Sequence, residues 1–270
     1  FWDASAESLG IGTSSPDAAL HAYTAATAIT PLLKLQANVS DNTGTQGASI
    51  DFVASGDSTA IGSRIVGTRA ASGANMDLRF HTGRDEEALR ISSQGNVGIG
   101  VVPETDWEAN HRAVQMGMST SVFGRSTARQ GGLLNNARIT GADYTTAKRI
   151  ATGESTGYVQ TSTGHDFLVA PSGTADATIT WTPAVRIDSS GNLLVGTNEV
   201  DVGYTDSGAG ASMNPAGFIQ VARSSVNALG YFNKLDNDGQ IIRFSKDGAE
   251  IGSIGVDGGD LLVGTGDTAL

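Results

Sequence analysis

One segment has the residue types of a serine hydrolase nucleophile. Residues 153–157 (GESTG) match the G-x-S-x-G pattern, and His165 and Asp166 follow it closely. This pattern activates a serine only where a buried strand ends in a sharp turn and a helix follows. Residues 158–164 (YVQTSTG) instead predict a strand and a turn. We interpret the match as a chance product of a chain rich in Gly and Ser, and we predict no catalytic residues.

Two acidic segments could hold a sugar-cleaving site or a cation. Asp85-Glu86-Glu87 offers the paired carboxylates of glycoside hydrolysis, but neighbouring residues in a strand point to opposite faces. Asp236-Asn237-Asp238-Gly239 begins like a Ca²⁺ loop, yet no Glu follows at the spacing that bidentate coordination needs. We interpret the first segment as a solvated turn and the second as a hairpin turn.

Neither the histidines nor the tryptophans form a recognisable site. The histidines are His21, His81, His111 and His165, and the tryptophans are Trp2, Trp107 and Trp181. No pair of histidines has H-x-x-x-H spacing, and no cysteine supplies a thiolate. The tryptophans are too few and scattered for the aromatic platform of a depolymerase. We predict no enzyme activity, no cofactor and no metal within one chain, and leave open an ion held by three copies of one histidine.

A repeated pattern is the most informative feature of the sequence. Residues 88–100 read ALRISSQGNVGIG and residues 184–197 read AVRIDSSGNLLVGT, while 8–13 (SLGIGT) and 260–265 (DLLVGT) repeat the second half. Alternating residues, a turn of Ser, Gly and Asn, and a return with alternating Gly predict a β-hairpin. The repeats divide the chain into three predicted modules, 1–101, 102–197 and 198–270.

The glycines of the repeat leave one face of its second strand bare. They are Gly10, Gly12, Gly98, Gly100, Gly196 and Gly264. A bare face lets another backbone approach, as three strands at a symmetry axis require. We therefore predict that these glycines pack within a homotrimer; the alternative is that they are loop residues. Arg90 and Arg186 occupy equivalent positions, which predicts a shared partner such as a carboxylate of a neighbouring chain, or else a solvated surface.

The rest of the chain favours short strands. Residues 76–81, 240–245 and 250–254 alternate between apolar and polar and end at turn residues, as in a β-meander. The helical signal is confined to 104–114 and to 27–36, which Pro31 interrupts. With 36 glycines and 17% charged residues, the composition also favours turns and strands. We predict an all-β fold of meander or β-prism-like modules in an elongated homotrimeric fibre, with few or no helices.

The charge and the hydropathy pattern exclude two classes of partner. A net charge of −11 would be repelled by a phosphate backbone, so nucleic acid is not an expected partner. The longest apolar runs are about four residues, against the roughly 18 that span a bilayer. We therefore expect no membrane insertion. No basic and apolar leader stands at Phe1, so no export signal is predicted there.

The repeats resemble those of bacteriophage tail fibre and tail spike proteins. The resemblance lies in residues 89–100, 185–197 and 9–16 (LGIGTSSP). Residues 241–255 (IIRFSKDGAEIGSIG) look like the region that often precedes a C-terminal intramolecular chaperone domain, and nothing after Ile254 resembles that domain. The resemblance implies a trimeric shaft in the virion tail, made in the host cytoplasm and acting outside the cell. It also implies other tail proteins and a host surface glycan as partners in receptor attachment.

Three alternatives stay open beside a structural shaft. The segment could be a carbohydrate-binding adhesin that uses exposed loops such as 204–214, or a polysaccharide depolymerase. It could also belong to a surface fibre that is not from a phage.

Overall fold

The computed structural model shows an all-β chain. It describes residues 2–3, 7–24, 33–37, 46–53, 62–69, 75–83, 85–204, 208–265 and 268–269. Within these ranges no helix occurs, so the predicted all-β class is confirmed. The chain forms two compact units, 1–183 and 184–270. The division into three modules stays a prediction.

The strands are short, as the frequent turn residues predict. Up to residue 173 they are β1 (Trp2–Asp3), β2 (Ser8–Ile11), β3 (Leu20–Ala22), β4 (Gly47–Phe52), β5 (Ser63–Arg69), β6 (Met76–Thr82), β7 (Glu86–Ile91), β8 (Val97–Ile99), β9 (His111–Met116), β10 (Thr120–Arg125), β11 (Gly131–Asn135), β12 (Arg138–Ile139), β13 (Ala147–Lys148), β14 (Gly153–Thr161) and β15 (Gly164–Gly173). Then follow β16 (Thr182–Asp188), β17 (Leu193–Val195), β18 (Gly210–Met213), β19 (Ile219–Ala222), β20 (Gly239–Lys246), β21 (Ala249–Asp257), β22 (Asp260–Thr265) and β23 (Thr268–Ala269).

The large sheet of the first unit runs almost in sequence order. Its strands follow one another as β4-β5-β6-β7-β8-β9-β10-β11-β14-β15, and β8–β9 is its parallel pair. A second parallel pair, β2–β3, lies in a separate small sheet. Both parallel pairs follow the glycine strand of the repeat, where Gly12 and Gly100 have φ of 77° and 65°. The chain leaves the sheet at these glycines and returns in the same direction, which a pure meander does not predict.

Both full repeats form the predicted hairpin. Arg90 lies opposite Gly98 on β7–β8, and Arg186 lies opposite Leu194 on β16–β17. The turns are alike: Gly95 and Gly191 share a φ of 83°, and the backbone N–H of the first turn residue donates to the carbonyl of the fifth, at 2.8 and 3.1 Å. Since only glycine adopts this conformation without strain, the Gly of the repeat sets the turn.

A third copy of this turn joins β18 to β19. The N–H of Asn214 donates to the carbonyl of Phe218 at 3.0 Å, and Gly217 again has a φ of 83°. The Asn214 side chain accepts N–H groups within the turn, as Asp188 does in the second repeat. The repeat pattern did not predict this copy, because its turn shares only the Gly and the polar first residue with the other two turns.

The core of the first unit lies on one face of its large sheet. Strand residues such as Phe123, Leu134 and Val159 pack there against Trp107 and Ile179 from the segments that cross this face. Buried Arg138 makes contacts that connect these segments. It donates to the carbonyl of Arg149 at 2.7 Å and forms ion pairs with Asp106 and Asp176.

The best candidate for a helix, 104–114, does not form one. Residues 104–110 are irregular and β9 begins at His111, with strict alternation of buried and less buried side chains along the strand. The irregular part is held by tertiary contacts: the backbone N–H of Glu104 donates to the Gln115 side chain at 3.0 Å, and Trp107 is buried. In the second predicted helix, 27–32 lie outside the described residues and 33–36 have no regular structure.

In the second unit, β16 to β19 form consecutive antiparallel pairs. One face is covered by the segment before β18, where Val202 is buried. The Ser212 hydroxyl donates to the carbonyl of Val200 at 2.7 Å, and Gln220 accepts the N–H of Gly203 at 2.8 Å. Strands β20 to β23 form a separate sheet.

Two glycines of the first repeat should differ sharply in tolerance to alanine. A Cβ on Gly98 would lie 2.1 Å from the carbonyl oxygen of Val101, whereas one on Gly100 would meet nothing within 4 Å. We expect Gly98→Ala to cost about 3 kcal/mol through overpacking, and Gly100→Ala about 1 kcal/mol through its positive φ. Denaturant unfolding measures both. Equal costs would contradict the assignment of Gly98 to an intrachain contact.

Candidate functional site

The hydrolase-like residues do not form a site. Ser155 lies on β14 opposite Ala170, and its buried hydroxyl donates to the carbonyl of Asn136 at 2.9 Å. His165 lies opposite Gln160, five residues further along the same strand, which is roughly 17 Å away. His165 also faces the side of the sheet opposite to Ser155. Its partner Gln160 lies an odd number of positions along β14 from Ser155, and successive strand residues point to alternate faces.

The acidic segments serve as ion-pair and turn residues. Asp85 has a φ of 67° and contacts Arg64 at 3.2 Å and His81 at 3.0 Å. In the second segment, Asp238 accepts the backbone N–H of Gly258 at 2.7 Å. Within the described ranges, no three His, Asp or Glu side chains come together as a metal site would require.

Arg90 contacts carboxylates of its own chain. Its guanidinium donates to Glu87 at 2.6 and 2.7 Å and to Asp77 at 3.4 Å. Arg79, directly opposite on β6, lies 3.7 Å from each of these carboxylates. Burial alone raises the pKa of Glu87, but hydrogen bonds and charge from Arg90, together with Arg79, outweigh it and hold the pKa below its ordinary value. The neighbouring-chain carboxylate predicted for Arg90 is therefore not needed.

Arg186 belongs to a different environment, although its position in the repeat is equivalent. Hydrogen bonds from Asn192 lower the pKa of Asp188 in the adjoining turn, and the charge of Arg186 adds to this effect. The charge of Arg186 thus acts on a carboxylate of its own chain, as that of Arg90 does.

Some of the repeat glycines are in close contact with the backbone of their own chain. A Cβ on Gly10 would lie 2.4 Å from the Thr13 carbonyl oxygen, and one on Gly12 would lie 2.1 Å from that of Tyr23. Gly196 has a φ of 66°, like Gly100 in the first repeat. Gly264 lies within β22. Packing of these glycines against other copies stays a prediction.

The most unusual surface is the uncovered face of the large sheet, which we call the apolar face. One row of directly opposed residues crosses β6 to β15 along it: Leu78, Ile91, Val97, Val114, Val122, Leu133, Tyr158 and Phe167. Opposed residues of a sheet point to the same side. Leu78, Ile91, Val122, Leu133 and Phe167 are each between 37% and 48% exposed.

A second row flanks the first on the β6 to β9 part of the face. It comprises Phe80, Leu89, Ile99 and Met116. Beyond these strands, its line continues through polar Thr120, Asn135 and Thr156 to Val169 on β15. Beside this line, Leu133, Tyr158, Phe167 and Val169 line a depression of about 350 Å³.

The second unit repeats this arrangement. Ile187, Leu193, Met213 and Ile219 form one row across β16 to β19, and Val185, Val195, Ala211 and Val221 form the next. Ile219 is 63% exposed. The opposite face of the same strands carries buried Leu194, Ser212 and Gln220.

The sheets are thus apolar on both faces. The covered faces bury the hydrophobic core together with polar side chains such as Gln115, Ser121 and Gln220, while the rows on the other face are partly exposed to solvent. Scattered exposed apolar residues are normal, but a contiguous row marks an interaction surface. The alternation in the sequence indicated which residues share a face. It did not show which face the connecting segments cover, so the apolar face was missed.

The comparisons with known proteins add no family. No protein-family model matches this chain, and no curated protein matches it. No helix in the described part of the chain has the length and apolar character to cross a membrane.

The Glu87–Arg90 pair should make stability fall in acid. Because the pKa of Glu87 in the folded state lies below its ordinary value of 4.5, its stabilising effect is present above that value and is lost as pH falls through the lower folded pKa. We expect Glu87→Gln to lower the melting temperature at pH 7. At acid pH the difference in melting temperature between the variant and the parent chain should become smaller. The effect is under about 1 kcal/mol, since the pair is partly solvated. The same decrease at both pH values would contradict this origin.

Proposed function

We propose that this chain is a shaft segment of a phage tail fibre or tail spike, assembled as a homotrimer through its apolar faces. The observation that carries the proposal is the row of directly opposed apolar side chains across β6 to β15, five of which are between 37% and 48% exposed. The shaft would hold a receptor-binding tip away from the particle, with other tail proteins as neighbours. We assign it no catalytic step.

The energetics of the apolar face support self-assembly. Burial of apolar surface contributes about 25 cal/mol per Å², so two rows of half-exposed aliphatic side chains provide a substantial driving force. A closed symmetric assembly presents the same surface on every copy and leaves none uncovered. The strands that carry this face also carry the repeat on which the resemblance to tail fibres rests.

The charges lie where such an assembly needs them. On β6 and β7, Asp77, Arg79 and Arg90 alternate with the apolar row and therefore occupy the other side of the sheet. No charge of this network has to be desolvated when apolar faces meet, which avoids the large cost of burying an unpaired ion. The net charge of −11 per chain keeps assembled particles apart.

A charge placed on the apolar face should disrupt the assembly. We expect the parent chain to sediment at three times its mass of 27.6 kDa, and Leu133→Lys to raise the dissociation constant at least about tenfold, because the added ammonium would be buried. Sedimentation equilibrium over a range of concentrations measures both. Thr105→Lys is the matched control, since Thr105 is exposed on the segment that crosses the covered side.

Circular dichroism of each variant separates loss of assembly from loss of fold. A parent chain that stays monomeric, or forms only dimers, would contradict the proposed trimer. Equal effects of Leu133→Lys and Thr105→Lys would contradict the role of the apolar face.

A second candidate, a carbohydrate-binding adhesin, is favoured by one pair of aromatic rings. Tyr204 is 76% exposed and stacks on Phe218, with ring centroids 6.0 Å apart and an interplanar angle of 10°. Exposed aromatic faces pack against the apolar faces of sugar rings.

The adhesin candidate can be tested on a glycan array. If the chain is an adhesin, the parent chain binds, Tyr204→Ala removes this binding, and Tyr231→Ala, at another exposed tyrosine of the same unit, leaves it intact. No binding by the parent chain would favour the shaft alone.

A further inference from the structure

A small cavity lies beside the first repeat turn. Its volume is about 280 Å³, and it lies between Ser93 and Gln94 of the turn and the segment that contains Trp107, Glu108, His111 and Arg112. This is just below the usual lower limit of about 300 Å³ for small-molecule sites. The cavity shares no residue with the apolar face rows, so assembly through that face does not use any of its groups.

The rigid part of the cavity is built from fully engaged polar groups. His111 is completely buried, with Nδ1 3.1 Å from Glu108 and Nε2 3.4 Å from Gln130. Glu108 also accepts the backbone N–H and the side-chain amide of Asn110, at 2.9 and 3.1 Å. The backbone hydrogen bond from Asn110 is the largest cause that holds the pKa of Glu108 below its ordinary value. These groups fix the wall but have little capacity left for a ligand.

Other lining groups retain hydrogen-bonding capacity. Arg112 donates through Nη1 to the carbonyls of Ala109 and His111, each at 2.8 Å, which fixes its side chain, and no partner of Nη2 occurs among the described residues. Gln94 is exposed at the tip of the turn and has no side-chain partner within the described part of the chain. Trp107 is buried, and its Nε1 likewise lacks a partner among the described residues.

Together, the groups that line the cavity favour one class of ligand. A guanidinium, an amide and a hydroxyl supply several donors and two acceptors in a small space, beside an indole. The Glu108 carboxylate next to Arg112 disfavours an anion, and its engagement with three donors disfavours an ammonium group. A neutral molecule with adjacent hydroxyl groups can use both the donors and the acceptors.

We propose that this cavity binds a single neutral hexose unit, with Gln94 and Arg112 as its hydrogen-bonding contacts. The inference goes beyond the shaft role, because it adds a lateral sugar contact to a segment proposed only as a spacer.

Saturation-transfer NMR of the full chain with the methyl glycosides of glucose, galactose and mannose tests the proposal. A ligand of this size gives a dissociation constant on the order of 1 mM. We expect at least one glycoside to bind, and Gln94→Ala and Arg112→Ala each to weaken it about tenfold. Ser190→Ala, at the equivalent position of the second repeat turn, is the matched control and should leave the affinity unchanged.

The outcomes separate this site from the assembly. Binding that persists in Leu133→Lys would show that the site does not need the apolar face. The proposal is overturned if none of the three glycosides binds, if both Gln94→Ala and Arg112→Ala bind as the parent does, or if glucuronate or glycine binds more tightly than the glycosides.

Discussion

A sheet has two faces, and the described connecting segments of this chain cover one of them. In the first unit the segment that contains Trp107 crosses the sheet on the side of Phe123 and Leu134. In the second unit the segment that contains Val202 does the same. Among the described residues, no connecting segment covers the aliphatic rows on the opposite sides. The partial exposure of these rows and the proposed assembly both follow from this constraint.

Glutamine side chains hold the covering segments by their backbones. Gln115 accepts an N–H from Glu104, and Gln220 accepts one from Gly203. Each glutamine side chain points to the covered face of its sheet. An aliphatic side chain at the same position would leave the backbone N–H of the covering segment without an acceptor. Arg138 acts similarly through a carbonyl and two carboxylates. These polar residues therefore occupy interior positions because they hold the irregular segments in place.

The sequence predicted the strands and the repeat hairpins well, because both depend on local chemistry. The turn at 92–96 follows from Gly95, and the alternation of 76–81 follows from the geometry of a strand. The start of β9 fell within the candidate helix 104–114, since that segment follows Pro103 and the alternation begins only at His111. The parallel pairs were not foreseen, because the path of a connecting segment depends on distant contacts such as that of Gln115. The cavity beside Trp107 also joins residues of the turn to a segment that follows more than ten residues later, and no local pattern connects them.

The separation of the two faces has a consequence for sequence variation. Segments 100–110 and 196–204 cross the sheet on the side opposite the apolar rows. Their exposed positions, such as Thr105, tolerate substitutions better than the strands they connect. Relatives of this chain could therefore diversify these segments, and with them any small-molecule contacts, while the strand residues of the apolar face stay unchanged. Recombination at the repeat hairpins would exchange such segments as whole cassettes.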